Sequence, residues 1–298
     1  MDKLTGLAAF VRTAETQSFV AAGRLLGITA SAVGKSVARL EERMGVRLFQ
    51  RSTRRIRLTE EGRLFYQRCQ HILNDIDDAE AVLSHAAEAP RGRLRVSVIT
   101  VGYRFLMPVM PEFMQRYPEI ELDLDFDDRM VDVIDEGLDA VIRSGDLPDS
   151  RLMARRLGSF RAGLFASPEY LRRRGIPQHP RELERHACVQ FRNQTSGKLQ
   201  KWTMRIDPGE AEPRLPVSMI CNNIEALLTA TVNGLGIGYM PTFLTRDAVA
   251  NGALVPLLDS HMILQGQFWL LWPSNRQMSP KLRVFVDFLC ERLFTNEE

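Results

Sequence analysis

The sequence predicts a mixed α/β chain in three parts: a small basic helical module, one long helix, and a larger domain of alternating strands and helices. Three observations carry this. Residues 3–58 hold eleven lysines or arginines against three acids, a net +8, while the whole chain of 298 residues carries only +2. Between Phe65 and Ala86 apolar residues recur at alternating spacings of four and three. Beyond Gly92, strand-like and helix-like runs alternate, the signature of an α/β domain with a parallel sheet.

Composition bounds the class. Apolar residues make up 45% and charged residues 26%, the balance of an ordinary soluble protein of two or three domains. No apolar run approaches the roughly 18 residues that span a bilayer. Asp2 and the interruption of Leu4–Val11 by Thr5 and Gly6 argue against a signal peptide, so a cytoplasmic protein without membrane partners is expected. Cys69, Cys188, Cys221 and Cys290 form no CxxC pair, which leaves a zinc framework unsupported and predicts four small, semi-buried thiols. Residues 59–88 reverse the sign of the first module, with two arginines against seven acids. The positive charge therefore sits at one end, as a phosphate-binding module requires.

Leu4, Leu7, Val11 and Ala14 predict a first amphipathic helix. Ser18 caps a second, carrying Phe19, Ala22, Leu25 and Leu26 and ended by Gly27. Thr29 opens a third, with Val33, Val37, Leu40 and Met44 on one face. Two short helices joined at Gly27-Ile28-Thr29 read as a helix-turn-helix, spanning residues 1–58 with its hairpin. That hairpin pairs Val46–Phe49 with Arg55–Leu58 about a Ser52-Thr53 turn. Thr59, Glu60 and Glu61 start the long helix, residues 59–89, whose seam of Phe65, Cys69, Ile72, Ile76, Ala79 and Leu83 predicts a dimerising partner helix. After Ala89-Pro90-Arg91-Gly92 the domain of residues 90–298 begins. Its expected strands include Leu94–Val98, Glu121–Phe126, Asp139–Arg143, Ala162–Ala166, Ile237–Met240 and Phe268–Trp272. Its expected helices include Arg104–Tyr117, Val131–Glu136, Ile224–Val232 and Ser279–Leu293.

The third helix carries the sharpest chemistry. Opposite its apolar face lie Ser31, Lys35 and Ala38, with Gly34 and Arg39 on the flanks; small and hydrogen-bonding residues are what a major groove admits. A glycine in mid-helix costs about 1 kcal/mol relative to alanine. Gly34 is explained either by close approach to DNA or by tight packing on the second helix. The hairpin carries Arg47, Arg51, Arg54, Arg55 and Arg57, like charges that repel one another unless a polyanion meets them. Arg54 at its tip is placed to enter a minor groove.

The stretch from Ser18-Phe19-Val20-Ala21-Ala22 through Ser31–Glu41, Gly45–Arg51 and Leu58–Gly62 resembles the N-terminal signature of LysR-type transcriptional regulators. The likeness continues in Asp139–Arg143, Ala166–Leu171, Gly234–Ile237 and Gly252–Leu254, so it covers essentially the whole chain. It implies a winged helix-turn-helix, a dimerising linker helix and a C-terminal two-lobed α/β domain like type 2 periplasmic binding proteins. The lobes are expected at residues 92–161 with 266–298, and at 162–265. It also implies a dimer of dimers on an interrupted palindromic promoter site in double-stranded DNA, a small-molecule effector, and contact with RNA polymerase. The DNA-facing set is then Ser18, Thr29, Ala30, Ser31, Ala32, Lys35, Ser36, Arg39, Arg51, Ser52, Thr53, Arg54 and Arg55. Gly34 departs from the serine common in the family, so no hydroxyl role is carried to it.

The expected effector site lies in the cleft between the lobes, at Thr100, Val101, Gly102, Arg143, Ser144, Phe191, Asn222 and Asn223. Free amides where a strand ends near Ile99 and a helix begins near Gly102, with Arg143-Ser144 on the same sheet edge, suit a carboxylate. Each residue alone reads equally well as a cap or turn. No catalytic motif is present, and the Gly234-x-Gly-x-Gly238 run follows a helix, the reverse of the dinucleotide context. An enzyme is therefore not expected, nor is a cofactor or metal. His186 and Cys188 read as a surface pair. The rival class is a thiol-based redox sensor using Cys188 and Cys221.

Overall fold

The computed structural model describes residues 3–51, 56–83, 90–134, 136–145, 152–263, 265–274 and 278–294. The chain divides into two units, one holding residues 1–93 and the other most of the remainder.

In the first unit, α1 (Lys3–Thr16), α2 (Phe19–Leu26) and α3 (Ala30–Met44) precede a hairpin of β1 (Phe49–Arg51) and β2 (Ile56–Leu58). Ser18 and Thr29 cap α2 and α3 by accepting the Ala21 and Ala32 amides. Gly27 and Gly45 end them in the left-handed conformation that only glycine adopts without cost. Ala9, Phe10, Val33, Val37, Leu40, Leu48 and Phe49 form the core, with Phe10 at its centre, 5.3 Å from Phe49 and 5.4 Å from Phe65. The hairpin pairs Phe49 with Leu58, so the first strand begins later than the apolar run Val46–Phe49 suggests. α4 (Glu60–Leu83) follows, with Thr59 capping it through the Gly62 amide. Gly62 has no room for a side chain: a Cβ there would lie 2.1 Å from the Leu48 carbonyl oxygen.

The second unit is built on one mixed sheet. β3 (Gly92–Val98) leads through two 3-10 turns and the short helices α5 (Tyr103–Leu106) and α6 (Met110–Arg116) to β4 (Ile120–Phe126) and β5 (Ala140–Ser144). The expected continuous helix Arg104–Tyr117 is broken because Pro108 and Pro111 each remove an amide donor. Val131–Glu136 forms no helix among the described residues; Val133 and Leu138 instead close a turn and bury together. β6 (Leu152–Ala166) is the long spine, followed by α7 (Pro168–Arg174), β7 (Cys188–Phe191), β8 (Val217–Cys221), α8 (Ile224–Val232), β9 (Ile237–Pro241), α9 (Thr242–Ala250), β10 (Val255–Leu257), β11 (Gln265–Pro273) and α10 (Pro280–Arg292).

The strand order is β4-β3-β5-β11-β6-β9-β7-β8, with β10 also on β6. Up to Arg161, β6 pairs with β11; from Ala162 it pairs with β9. One strand thus serves two halves, each with its own core. The first centres on Leu94, Val96, Phe113, Phe268, Phe285 and Phe288. The second has two clusters, one around Leu164, Tyr170, Trp202 and Tyr239 and one around Val189, Leu227 and Met240. The expectation of a parallel sheet holds for β3–β5, β7–β8 and β7–β9 but not for β11, which runs antiparallel to both β5 and β6. The reason is topological: β6 carries the chain into the second half and β11 brings it back, so the two must run opposite ways.

Candidate nucleic-acid interface and effector cleft

The amphipathic pattern of α3 sorts its residues. Val33, Val37 and Leu40 are buried, whereas Ser31, Lys35, Ala38 and Arg39 are exposed along the opposite face. Ala30 and Ala32 are half-buried at the first turn, beside the exposed cap Thr29. Ser36 departs from the expected DNA-facing set: it is 9% exposed, one residue before Val37, and turned to the core. Ser18 spends its hydroxyl on the Ala21 amide, so it positions α2. A Cβ at Gly34 would meet nothing within 4 Å, which removes packing on α2 as the reason for that glycine. The close approach lies at Gly23, where a Cβ would sit 2.7 Å from the Ile28 carbonyl oxygen. Arg47 and Arg57 are exposed, while the Arg51 side chain and Ser52, Thr53, Arg54 and Arg55 lie outside the described residues.

Glu41 is a positioning residue that the pattern of α3 hides. It is 6% exposed, and its Oε1 accepts the Leu48 amide at 2.8 Å and the Phe49 amide at 3.0 Å. A buried carboxylate on α3 thereby sets where the hairpin starts.

The seam of α4 divides. Phe65 and Cys69 pack on the core of their own unit, joined by Tyr66 and Leu73 from outside the expected seam. Cys69 is 0% exposed, which removes it from any partner interface, and burial pushes its thiol up to about 12. The first turns of α4 thus complete the winged domain, and the periodicity read there as a dimer seam is partly its core. Ile72 is 43% exposed and Ile76 half-buried. The side chains of Ala79 and Leu83 lie outside the described residues.

In the second unit the expected effector residues come from both halves of the sheet. Thr100, Val101 and Gly102 form a 3-10 turn after β3. Two of its amides are engaged. Thr100 N–H donates to Asp128 Oδ1 at 2.7 Å, and Gly102 N–H donates to the Ile99 carbonyl at 2.8 Å, so the Gly102 amide does not face a ligand. Gly102 is instead fixed by packing, since a Cβ would lie 2.4 Å from Val98 Cγ1. Val101 is buried against Val189, Ile224 and Leu227 of the other half.

Arg143 is likewise committed. Its guanidinium donates to the Ser97 hydroxyl at 2.9 Å and to the carbonyls of Ser97, Ile142 and Arg129. It braces strand ends rather than projecting as a free cation. Ser144 ends β5 in an exposed position. In the other half, Phe191 ends β7 and packs with the Val189 cluster. Asn223 caps α8 through the Ala226 amide, and the Asn222 carbonyl accepts the Gln194 amide group. Polar contacts bridge the halves: Arg104 and Tyr103 hold Glu225, and Thr195 accepts the Met130 amide at 3.0 Å.

His186 and Cys188, expected at the surface, are 5% and 0% exposed; Tyr170 hydrogen-bonds the imidazole. Burial pushes the Cys188 thiol up to about 12 and raises that of Cys221. Cys221 lies opposite Phe191, three residues along β7 from Cys188. At about 3.3 Å per residue this separates the pair by roughly 10 Å, beyond the reach of a disulfide.

The model of the bacterial regulatory helix-turn-helix protein, lysR family, matches residues 4–63, and that of the LysR substrate binding domain matches residues 87–293. An HTH-type transcriptional regulator of Xanthomonas campestris is 36% identical over 287 residues, covering 95% of this chain and 83% of that one. An HTH-type transcriptional repressor of Pseudomonas aeruginosa is 33% identical, covering 100% and 94%. Among solved structures, CrgA, a LysR-type transcriptional regulator from Neisseria meningitidis, superposes with a TM-score of 0.63 at 35% identity, covering 96% of this chain and 97% of that one.

Proposed function

The chain belongs to the LysR-type transcriptional regulators, and from that premise we propose that a small organic anion, held between the halves of the second unit, controls its binding to promoter DNA. The Asp128 carboxylate on the Thr100 amide carries this reading. A backbone amide at the head of a helical turn already donates to a carboxylate, and the chain's own side chain stands where a ligand's carboxylate would. An incoming anion displaces Asp128, with Ser144, Phe191 and Asn222 completing the site and Arg143 adding positive potential from behind its carbonyl shell. Displacement loosens the loop that carries Asp128, and this couples binding to the relative placement of the halves.

On the DNA side, Ser31, Lys35 and Arg39 enter the major groove and Arg54 the minor groove of an interrupted palindrome. A dimer of dimers in the cytoplasm engages that site and works with RNA polymerase.

Thermal shift tests the effector site. A carboxylate that binds the folded state raises the melting temperature with concentration. It is expected to act more strongly on Asp128→Ala, where the internal competitor is gone, and less on Ser144→Ala with Thr100→Val. A stabilising carboxylate that acts equally on all three proteins places the ligand elsewhere.

A further inference from the structure

We propose that His179, Asp207 and Glu210 form a binding site for a divalent transition-metal ion, with zinc the reference cation. The three donor atoms come from two segments of the second half. His179 stands before the 3-10 helix Pro180–Arg185, and Asp207 and Glu210 flank a tight turn. That turn is built for the purpose of spacing: Pro208 occupies its second position, Gly209 has φ +89°, and Glu210 N–H closes it on the Asp207 carbonyl at 3.0 Å. The two carboxylates therefore sit at its first and last positions, held together by backbone.

The distances fit a coordination shell. His179 Nε2 lies 3.5 Å from Asp207 Oδ2 and 3.6 Å from Glu210 Oε2, and all three donor atoms fall within 4.8 Å of one another. Ligands about 2.1 Å from a tetrahedral ion stand about 3.4 Å apart, close to both imidazole–carboxylate separations. A second observation points the same way. Glu210 Oε2 is buried with no hydrogen-bond partner among the described residues, and it faces the imidazole. The other oxygen, Oε1, is met by Arg181 Nε at 3.4 Å, which leaves Oε2 for the site. His261 packs edge-on against His179, with centroids 5.7 Å apart.

The donor set selects the ion. One imidazole with two carboxylates suits zinc, cobalt or nickel, whereas magnesium and calcium favour oxygen alone. Binding at Nε2 places the imidazole proton on Nδ1 and gives up the long, 3.4 Å contact from Arg181 N–H. The ion would tie the segment between β7 and β8 to the 3-10 helix, independently of the effector cleft.

The test uses the untagged, chelator-stripped full chain, with zinc measured by calorimetry and by metal content after dialysis. Asp207→Asn keeps a residue that suits the turn, and Glu210→Gln keeps the shape of its side chain. The expected result is one zinc per chain, a melting temperature that rises with zinc but not with magnesium, and zinc binding at least about tenfold weaker in both variants. Metal-free variants melting with the metal-free parent separate loss of binding from loss of fold. Cobalt should give the intense visible bands of a four-coordinate site, absent in Asp207→Asn. Sub-stoichiometric zinc, or equal binding by parent and variants, overturns the proposal.

Discussion

The guanidinium of Arg104 grips the Glu225 carboxylate through both Nε and Nη2, at 3.1 and 2.7 Å, while the Tyr103 hydroxyl adds a third bond at 3.0 Å. Arg104 follows β3 and Glu225 opens α8, so this contact ties the two halves of the sheet. Burial alone raises the Glu225 carboxyl, but hydrogen bonds from Arg104 and Tyr103 outweigh it and hold the group below its ordinary 4.5. A carboxyl depressed in the folded state stabilises fully above its unfolded pKa and loses that contribution as pH falls through the folded value. Glu225→Gln should therefore be less stable than the parent at neutral pH, by about 1–2 kcal/mol, and melt at a lower temperature. The difference should begin to shrink as pH falls through the ordinary carboxylate value and be lost below the folded one. Parallel melting curves for the two proteins from pH 7 to pH 3 would falsify the latch.

Glu41 yields a prediction inside the DNA-binding unit. Glu41→Ala strands the buried amides of Leu48 and Phe49, each costing about 1–3 kcal/mol when unpaired. Urea unfolding of the winged domain should shift down by about 2–4 kcal/mol, and DNA affinity should fall with it, because the hairpin loses its anchor on α3. Exposed Lys35→Ala separates the two effects. It should leave unfolding unchanged and reduce the salt slope of DNA binding by about one. A Glu41→Ala protein as stable as the parent would remove the anchoring role.

These residues show what the sequence made legible. Caps and turns are local, so Ser18, Gly27 and Thr29 mark the helix-turn-helix directly. α8 was likewise readable, from the Asn223 cap to Val232. Glu41 was hidden because an acid in a charged helix reads as surface until the hairpin folds against it. Arg143 misled for the opposite reason: a cation at a strand end looks available, but neighbouring carbonyls, remote in sequence, claim it. Asp128 is not legible in the sequence, since nothing local links it to Thr100. The proposed effector site draws on residues that only tertiary contacts bring together, and one-dimensional spacing carries little of that.

The thiols give a third test. With Cys188 pushed up to about 12 by burial, very little of the reactive thiolate is present at pH 8. Cys188 should resist a disulfide reagent until the chain unfolds, and peroxide should leave DNA affinity unchanged. Stoichiometric peroxide-dependent loss of two thiols, reversed by reductant, would instead establish a redox sensor.

The last prediction separates the two uses of α4. Its early face, Phe65 and Cys69, is spent on the core of the winged domain. Cys69→Ser puts a hydroxyl into that apolar core and should cost about 1–3 kcal/mol of unfolding free energy without changing assembly. Further along, Ile72 and Ile76 retain exposed apolar surface on the same helix, one turn apart. Ile76→Asp places a charge where a partner helix would pack, and it should split the dimer while the monomer keeps its fold. Two half-sites engaged by one dimer gain from effective concentration, so DNA affinity should drop with the dimer even though no DNA contact is touched. Sedimentation and circular dichroism together decide the matter. An Ile76→Asp protein that sediments like the parent places the dimer interface elsewhere, whereas one that loses helix content has failed in folding and requires the milder Ile76→Ala, read by the concentration dependence of dimerisation.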